Sequence, residues 1–207
     1  PGDLKATFHN VEHHKSHVAS AFFVSGFEEA ACLSIDGFGD FASTMRAVGR
    51  DRTIEVLDRV EFPHSAGLYY TAITQFLGFP KYGEEWKMMG LAPYGKPAYV
   101  EQLRRVIAPA KGGKFRLNLD YFVHHSEGVE MTWDEGTPQL GRVWSKKLEE
   151  LLGPARDPED PDFFGKWADI AHSAQVVYEE IFFHVVGGLY ARTKIPRLAL
   201  AGGCALN

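Results

Sequence analysis

The strongest constraint on the fold is a series of three β-rich runs in the first third of the chain. The runs cover residues 30–35, 42–48 and 54–60. Residues 36–40 (Asp-Gly-Phe-Gly-Asp) and 49–52 (Gly-Arg-Asp-Arg) separate them, and both separators contain the glycine and aspartate that favour turns. Because short turns join antiparallel neighbours, the series predicts an antiparallel meander.

Elements outside the meander complete a mixed α/β pattern. A short apolar stretch at residues 6–11 predicts a strand, and Asn10 is a good cap for the helix that follows. Residues 163–193 keep the helical spacing of apolar side chains, and residues 195–201 predict a buried strand that runs into a Gly-Gly pair. The other expected elements are a helix over 65–77 ended by Gly78, a structured loop with a short helix over 79–97, a helix over 98–107 and a strand near 115–119.

Charge and cysteine content narrow the function classes. The 22 lysines and arginines against 27 aspartates and glutamates give a net charge of −5, the wrong sign for a general nucleic-acid binder. Two cysteines are too few for a disulfide framework, and no apolar run reaches the roughly 20 residues that a bilayer requires. We therefore expect a cytoplasmic protein without a membrane partner. The first residue is Pro1 and the last is Asn207 in a glycine-marked apolar motif, which predicts a piece of a longer protein.

A pair of histidines is a candidate metal site. His13 and His17 are four residues apart, so on a helix both rings face the same side, one turn apart. Two neutral imidazoles suit a borderline divalent ion. His9 repeats the interval but precedes the helix. Surface or capping histidines remain the alternative, because a metal site also needs a third ligand.

Two glycine-containing segments are candidates for nucleotide binding. The segment Asp36, Gly37, Phe38, Gly39 and Asp40 can direct successive backbone amides at a phosphate, and its two aspartates could hold a cation beside it. Taken by itself, the segment is better explained as an ordinary hairpin turn. The pair Gly202 and Gly203 follows a strand and allows close approach of a nucleotide, with Asn207 one turn later. A simple strand-to-helix turn is the alternative.

A third segment, Glu84, Glu85 and Lys87, places charges beside apolar residues. By itself it indicates a solvated face over a small core.

Five motifs follow one another along the chain, and their order is more specific than any one of them. They are Val-Glu-His-His-Lys-Ser-His at 11–17, Ile-Asp-Gly-Phe-Gly-Asp at 35–40, Phe-Pro-His-Ser-Ala-Gly at 62–67, Met-Met-Gly-Leu-Ala-Pro-Tyr-Gly at 88–95 and Leu-Ala-Gly-Gly-Cys-Ala-Leu-Asn at 200–207. With this series, the chain from about residue 8 to residue 207 resembles the nodulation-protein-U family of O-carbamoyltransferases. The Met-Gly-Leu-Ala-Pro-Tyr-Gly segment is the most specific element of the resemblance.

The resemblance implies a partial ribonuclease-H-like, actin-like ATPase fold with a large mixed insertion. Residues 1–29 would end a first lobe and carry the metal-binding helix. Residues 30–207 would form an incomplete second lobe, with the insertion at about 79–162 and the core helix and strand at about 163–207. The loop 154–161, with three prolines and three acidic residues, is the best candidate boundary.

The resemblance also implies roles for particular residues. His13 and His17 would bind a metal, commonly iron(II), and an aspartate beyond residue 207 would be a further ligand. The loop 36–40 would bind phosphate. The adenosine portion would be held by Gly202, Gly203 and Asn207, with Glu85 and Lys87 near the nucleotide.

The implied activity is ATP-dependent O-carbamoyl transfer. Carbamoyl phosphate and ATP would give carbamoyl adenylate in a separate domain, and the carbamoyl group would pass to a hydroxyl of a sugar-like or antibiotic small-molecule acceptor. The alternatives are threonylcarbamoyl transfer to tRNA and a non-catalytic nucleotide-binding fragment. The net charge and the long insertion argue against the tRNA reaction. No residue is assigned as general base.

Overall fold

The structure is a computed structural model that describes residues 5–134 and 136–207. The strands are β1 (Glu29–Gly39), β2 (Ala42–Arg50), β3 (Thr53–Glu61), β4 (Ile107–Ala110), β5 (Lys114–Leu117), β6 (Met131–Asp134), β7 (Thr137–Leu140) and β8 (Leu198–Ala201). The α-helices are α1 (His13–Phe22), α2 (Ala66–Phe76), α3 (Glu85–Leu91), α4 (Val100–Leu103), α5 (Lys146–Leu152) and α6 (Lys166–Thr193).

A four-stranded mixed sheet with the order β3-β2-β1-β8 is the centre of the fold. Its first three strands are antiparallel, which confirms the predicted meander. Strand β8 lies parallel to β1, with Ala31 opposite Leu198 and Ser34 opposite Ala201. Because parallel strands end at the same edge, the segments that follow β1 and β8 meet there.

Helices cover both faces of the sheet. The residues of β1 alternate between the two faces, so that Ala30 and Cys32 pack with α1 while Leu33 and Ile35 join the larger core with α2 and α6. Phe22 of α1 is buried on the first face, which stabilises the docked helix by about 1.5–3 kcal/mol. Residues 30–35 of β1 are buried, and this part of the strand therefore reads as a near-continuous apolar run.

Several sequence predictions are confirmed with small changes of boundary. Ser65 caps α2 by accepting a hydrogen bond from the backbone N–H of Leu68, and Gly78 follows the helix with a positive φ of 81°. The long helix α6 and the strand β8 lie within the predicted ranges. The loop 79–97 contains the expected short helix α3.

Three predictions were wrong. Residues 5–12 form no strand in the described chain, because residues 5–11 are exposed and pair with no neighbour, and Glu12 rather than Asn10 caps α1. The helix over 98–107 is reduced to α4, since the chain from Ile107 onward pairs with β5 as a hairpin. Residues 36–39 belong to β1, so the turn itself is at Asp40 and Phe41, both with positive φ.

The segment 79–162 contains the hairpins β4–β5 and β6–β7 together with α3, α4 and α5. Leu103, Phe115 and Leu148 from this segment are buried in the same core as Ile73 of α2 and Val177 of α6. The division into two lobes and an insertion stays a prediction. None of the helices in the described residues has the length and apolar character needed to cross a membrane.

Candidate metal centre

The two predicted histidines converge on one carboxylate oxygen at the end of β1. The Nε2 atom of His17 lies 2.9 Å from Oδ2 of Asp36, and that of His13 lies 3.4 Å from the same atom. The imidazole rings of His13 and His17 are 4.6 Å apart between centroids. All three side chains are half-buried, so the cluster is open to solvent on one side.

His14, between them in sequence, fixes the helix to the sheet. Its ring is fully buried, and Nε2 donates to the carbonyl oxygen of Ala42 at 2.9 Å, so Nδ1 accepts from the Ser34 hydroxyl at 2.8 Å. Burial lowers the pKa of His14 and keeps the ring neutral. A rigid attachment at this position sets the direction in which His13 and His17 point.

The first turn of α1 is closed by two acidic side chains. Oδ2 of Asp40 accepts from the backbone N–H of His13 at 2.9 Å, and Oε2 of Glu12 accepts from the backbone N–H of Lys15 at 2.7 Å. Both carboxylates lie at the positive end of the helix dipole, where negative charge is stabilising. Asp40, predicted as part of a phosphate loop, therefore accepts a hydrogen bond from the first turn of α1.

Asp36 receives donors on both carboxylate oxygens. Burial alone would raise its pKa, but hydrogen bonds from the Gly37 N–H, His13, the Gly203 N–H and His17 outweigh burial, and the pKa of Asp36 is lowered. The Gly37 bond reaches Oδ1 at 2.7 Å. Asp36 is therefore an anion at neutral pH, with Oδ2 facing the two imidazoles.

Glycines leave room for this arrangement. A Cβ atom on Gly39 would lie 2.1 Å from the His13 ring, and a Cβ on Gly203 would lie 2.9 Å from Oδ1 of Asp36. Gly202 has a φ of 92°, and its Cβ would lie 2.3 Å from the carbonyl oxygen of Ile35. The Gly-Gly pair after β8 thus packs directly against the end of β1.

The donor set fits a divalent metal ion. In the described residues, His13, His17 and Asp36 are the one group of three or more His, Cys, Asp or Glu side chains whose ligand atoms all lie within 4.8 Å of one another. Two imidazoles and one carboxylate suit zinc and non-haem iron(II). Asp36 was predicted for the phosphate segment, and the sequence did not connect it with the two histidines; its position directly after a buried strand was the available signal.

Asn207, predicted for the adenosine, pairs with a helix residue. Its Oδ1 accepts from Nε2 of Gln175 at 2.7 Å, and its Nδ2 donates to Oε1 of Gln175 at 3.1 Å. The Tyr70 hydroxyl donates to the same Gln175 oxygen at 2.8 Å. Gln175, on α6, is a polar residue that sequence reasoning did not single out.

The two predicted charges of α3 engage different elements. Glu85 accepts a hydrogen bond from the Thr71 hydroxyl of α2 at 2.6 Å. Lys87 pairs with Glu84, and its ammonium lies 5.4 Å from the centre of the Phe79 ring. The two residues that the resemblance places near the nucleotide therefore contact different elements.

Burial and the nearby Asp36 raise the pKa of the Cys204 thiol to about 12. Cys204, immediately after the Gly-Gly pair, is therefore neutral and a poor nucleophile.

Phe38, in the centre of the predicted phosphate segment, packs on Phe62 with ring centroids 5.5 Å apart.

The whole chain matches a known family, as the motif order predicted. Residues 2–207 match the family described as Carbamoyltransferase N-terminus, and the chain belongs to that family. It is 41% identical over 198 residues to the protein sll1178 of Synechocystis sp., covering 95% of this chain and 30% of that protein.

Two nodulation proteins are also similar. Nodulation protein NolNO of Sinorhizobium fredii is 35% identical over 198 residues, covering 95% of this chain and 25% of that protein. Nodulation protein NolO of Bradyrhizobium diazoefficiens is 34% identical over 200 residues, covering 95% of this chain and 32% of that protein. The chain thus spans 25% to 32% of the length of these curated relatives.

Proposed function

We propose that this chain forms the metal- and nucleotide-binding part of an ATP-dependent O-carbamoyltransferase with an actin-like fold. The enzyme would move a carbamoyl group from carbamoyl phosphate, through carbamoyl adenylate, to a hydroxyl of a sugar-like or antibiotic acceptor. Membership of the carbamoyltransferase family and similarity to two nodulation proteins support this reaction class. The observation that carries the proposal is the convergence of His13, His17 and Asp36 at the shared edge of β1 and β8.

The three side chains would hold a divalent ion. The donor set suits both zinc and iron(II), and iron(II) is our first choice because the family resemblance implies it. When bound, such an ion polarises a carbonyl or phosphoryl oxygen as a Lewis acid. The chain itself supplies orientation. His14 holds α1 against the sheet, and Gly39 leaves the space that the His13 ring occupies.

The nucleotide would lie across the ends of β1 and β8, with its phosphates toward the segment 36–40. Crevices beyond the carboxyl ends of parallel strands are common nucleotide sites. Gly202, Gly203 and Asn207 would contact the adenosine portion, and Glu85 would lie near it. Lys87 would have to leave Glu84 to reach a phosphate, which makes Glu85 the better supported of the two.

Two alternatives remain. Threonylcarbamoyl transfer to tRNA is disfavoured by the net charge of −5. A non-catalytic nucleotide-binding role fits the chain alone, because the chain spans 25% to 32% of the length of the curated relatives it matches. Under the main proposal, the domain that makes carbamoyl adenylate would lie outside this chain.

Metal binding tests the site directly. Isothermal titration of the anaerobic chain with iron(II) should give one tight site, and either His13→Ala or His17→Ala should weaken it at least about tenfold. His9→Ala is the matched control, because His9 is exposed and precedes α1, and it should bind as the wild type does. If both site variants bind iron(II) as well as the control, the ligand assignment is wrong.

The reaction is tested with the full-length protein that carries this chain. With ATP, labelled carbamoyl phosphate and an aminoglycoside or chito-oligosaccharide acceptor, we expect AMP release and label on an acceptor hydroxyl. His17→Ala should abolish transfer, whereas His9→Ala should not. A parallel assay with labelled threonine, bicarbonate, ATP and tRNA tests the first alternative, which label on tRNA would favour. Nucleotide binding without any transfer would favour the second.

A further inference from the structure

A cavity of about 750 Å³ lies beside the Phe62-Pro63-His64 segment, and no residue of the candidate metal centre is among its lining residues. The end of β3 forms one wall, and the hairpin β4–β5 forms the other. Val60 and Phe115, both buried, give it an apolar base. This volume is in the range of small-molecule sites.

The cavity is lined by four cationic side chains, Arg59, Lys111, Lys114 and Arg116. Within residues 5–134 and 136–207, none of the four has a carboxylate within salt-bridge distance. Two carboxylates also line the cavity. Asp58 is neutralised by Arg46 and Arg192, and Glu61 is exposed. The cavity therefore has a surplus of positive charge in a protein whose net charge is negative.

The walls are held in place without a ligand. Arg46 donates to the carbonyl oxygens of Gly112 and Gly113 in the hairpin turn, at 2.7 and 3.2 Å. A Cβ atom on Gly113 would lie 2.6 Å from the Cα of Gly188, so the turn is in close backbone contact with α6. At the other end, Nδ1 of His64 accepts from the backbone N–H of Leu117 at 3.2 Å. A preformed cavity loses little entropy on binding.

We infer that this cavity binds a small organic anion that carries a phosphate group. The four positive charges of the lining are better matched by a phosphate dianion than by a carboxylate, which carries one negative charge. The apolar base formed by Val60 and Phe115 receives the organic part of the ligand. Because His64 accepts at Nδ1, its Nε2 carries the proton and adds a neutral donor to the lining. This inference is independent of the proposed carbamoyl transfer.

Calorimetry of the full chain with phenyl phosphate tests the inference, because this probe combines a phosphate with an apolar ring. We expect tighter binding than for inorganic phosphate, and no binding of benzyl alcohol. The double variant Lys114→Gln/Arg116→Gln should weaken phenyl phosphate binding at least about tenfold. The double variant Lys5→Gln/Arg52→Gln removes the same charge from exposed positions outside the cavity and should bind as the wild type does.

Three results would overturn the inference. An equal loss of phenyl phosphate affinity in the two double variants would mean a general effect of net charge. Unchanged affinity in both would place the ligand elsewhere. Loss of binding in His13→Ala/His17→Ala would place the anion at the candidate metal centre. Histidine nitrogen resonances provide a second readout, since phenyl phosphate should shift the Nε2 signal of His64 in the wild type and leave it in place in Lys114→Gln/Arg116→Gln.

Discussion

Two carboxylates of the central sheet are each held by two basic side chains, yet the two arrangements have different chemical capacities. Asp58 of β3 accepts from Arg46 at 2.8 Å on each oxygen and from Arg192 at 2.8 Å. Asp36 of β1 faces His13 and His17 instead. Both carboxylates have a lowered pKa. The geometry is similar, and the nature of the donors differs.

The donors decide what each cluster can do. A guanidinium stays protonated and has no lone pair to offer, so Arg46 and Asp58 can only lock β2, β3 and the hairpin turn together. A neutral imidazole can turn a lone pair toward an ion, and the carboxylate then becomes a third ligand. We conclude that the Asp58 cluster is structural, whereas the Asp36 cluster has the donor set of a metal site.

The largest expected effect is on the structural cluster. Arg46→Met leaves the Asp58 carboxylate and two hairpin carbonyls without their buried donor, and it should lower the free energy of unfolding by about 3–5 kcal/mol. Arg50→Met is the matched control, because Arg50 is also on β2 and pairs at the surface with Glu29 of β1. This control should lower the free energy of unfolding by less than about 1 kcal/mol. Urea denaturation measures the free energy of unfolding of both variants, and equal losses would contradict the structural role of the Asp58 cluster.

A smaller effect is expected at the metal site from a residue that contacts no ion. Gly39→Ala would place a methyl group 2.1 Å from the His13 ring and force that ring to move. Iron(II) affinity should fall about 10- to 100-fold, with the helical content unchanged. Gly37→Ala, two residues away on the same strand, meets no atom within 4 Å and should retain wild-type affinity. An unchanged affinity in Gly39→Ala would show that the position of the His13 ring is unimportant.

The smallest effect concerns acid stability and applies to both carboxylates. Because the folded-state pKa values of Asp36 and Asp58 are lowered, each adds stability above its unfolded-state pKa and loses it as the pH falls through the folded-state pKa. Unfolding free energy should therefore fall below about pH 4. Asp36→Asn and Asp58→Asn should each be less stable at pH 7 and should each flatten this acid slope. A wild-type slope in both variants would contradict the predicted direction.

The two clusters also differ in how far the sequence could predict them. The spacing of His13 and His17 predicts a common helix face, since helical geometry is local. Asp36 is 19 residues from His17, and its approach depends on the register of β1 against α1, which no local pattern encodes. Arg46 is separated from Gly112 by 66 positions and from Gly113 by 67, so sequence reasoning gave no sign of these hydrogen bonds.

The same distinction applies to the fold. The meander was predictable from the turn residues between its β-rich runs, and α2 and α6 from their local sequence patterns, because all these signals are local. The helix expected over 98–107 is mostly absent, because pairing of Ile107 with Leu117 outweighs the helical propensity of its neighbours. His14 resembles its neighbours in sequence, yet its buried contacts to Ser34 and Ala42 give it a structural role that only the tertiary structure reveals.

The most direct test of the metal assignment is an anomalous-difference map from crystals of this chain loaded with iron(II) under anaerobic conditions. We expect one peak at the iron edge within about 2.0–2.3 Å of Nε2 of His13, Nε2 of His17 and Oδ2 of Asp36. A peak on other side chains, or a map without a peak from crystals of iron-saturated protein, would contradict the account.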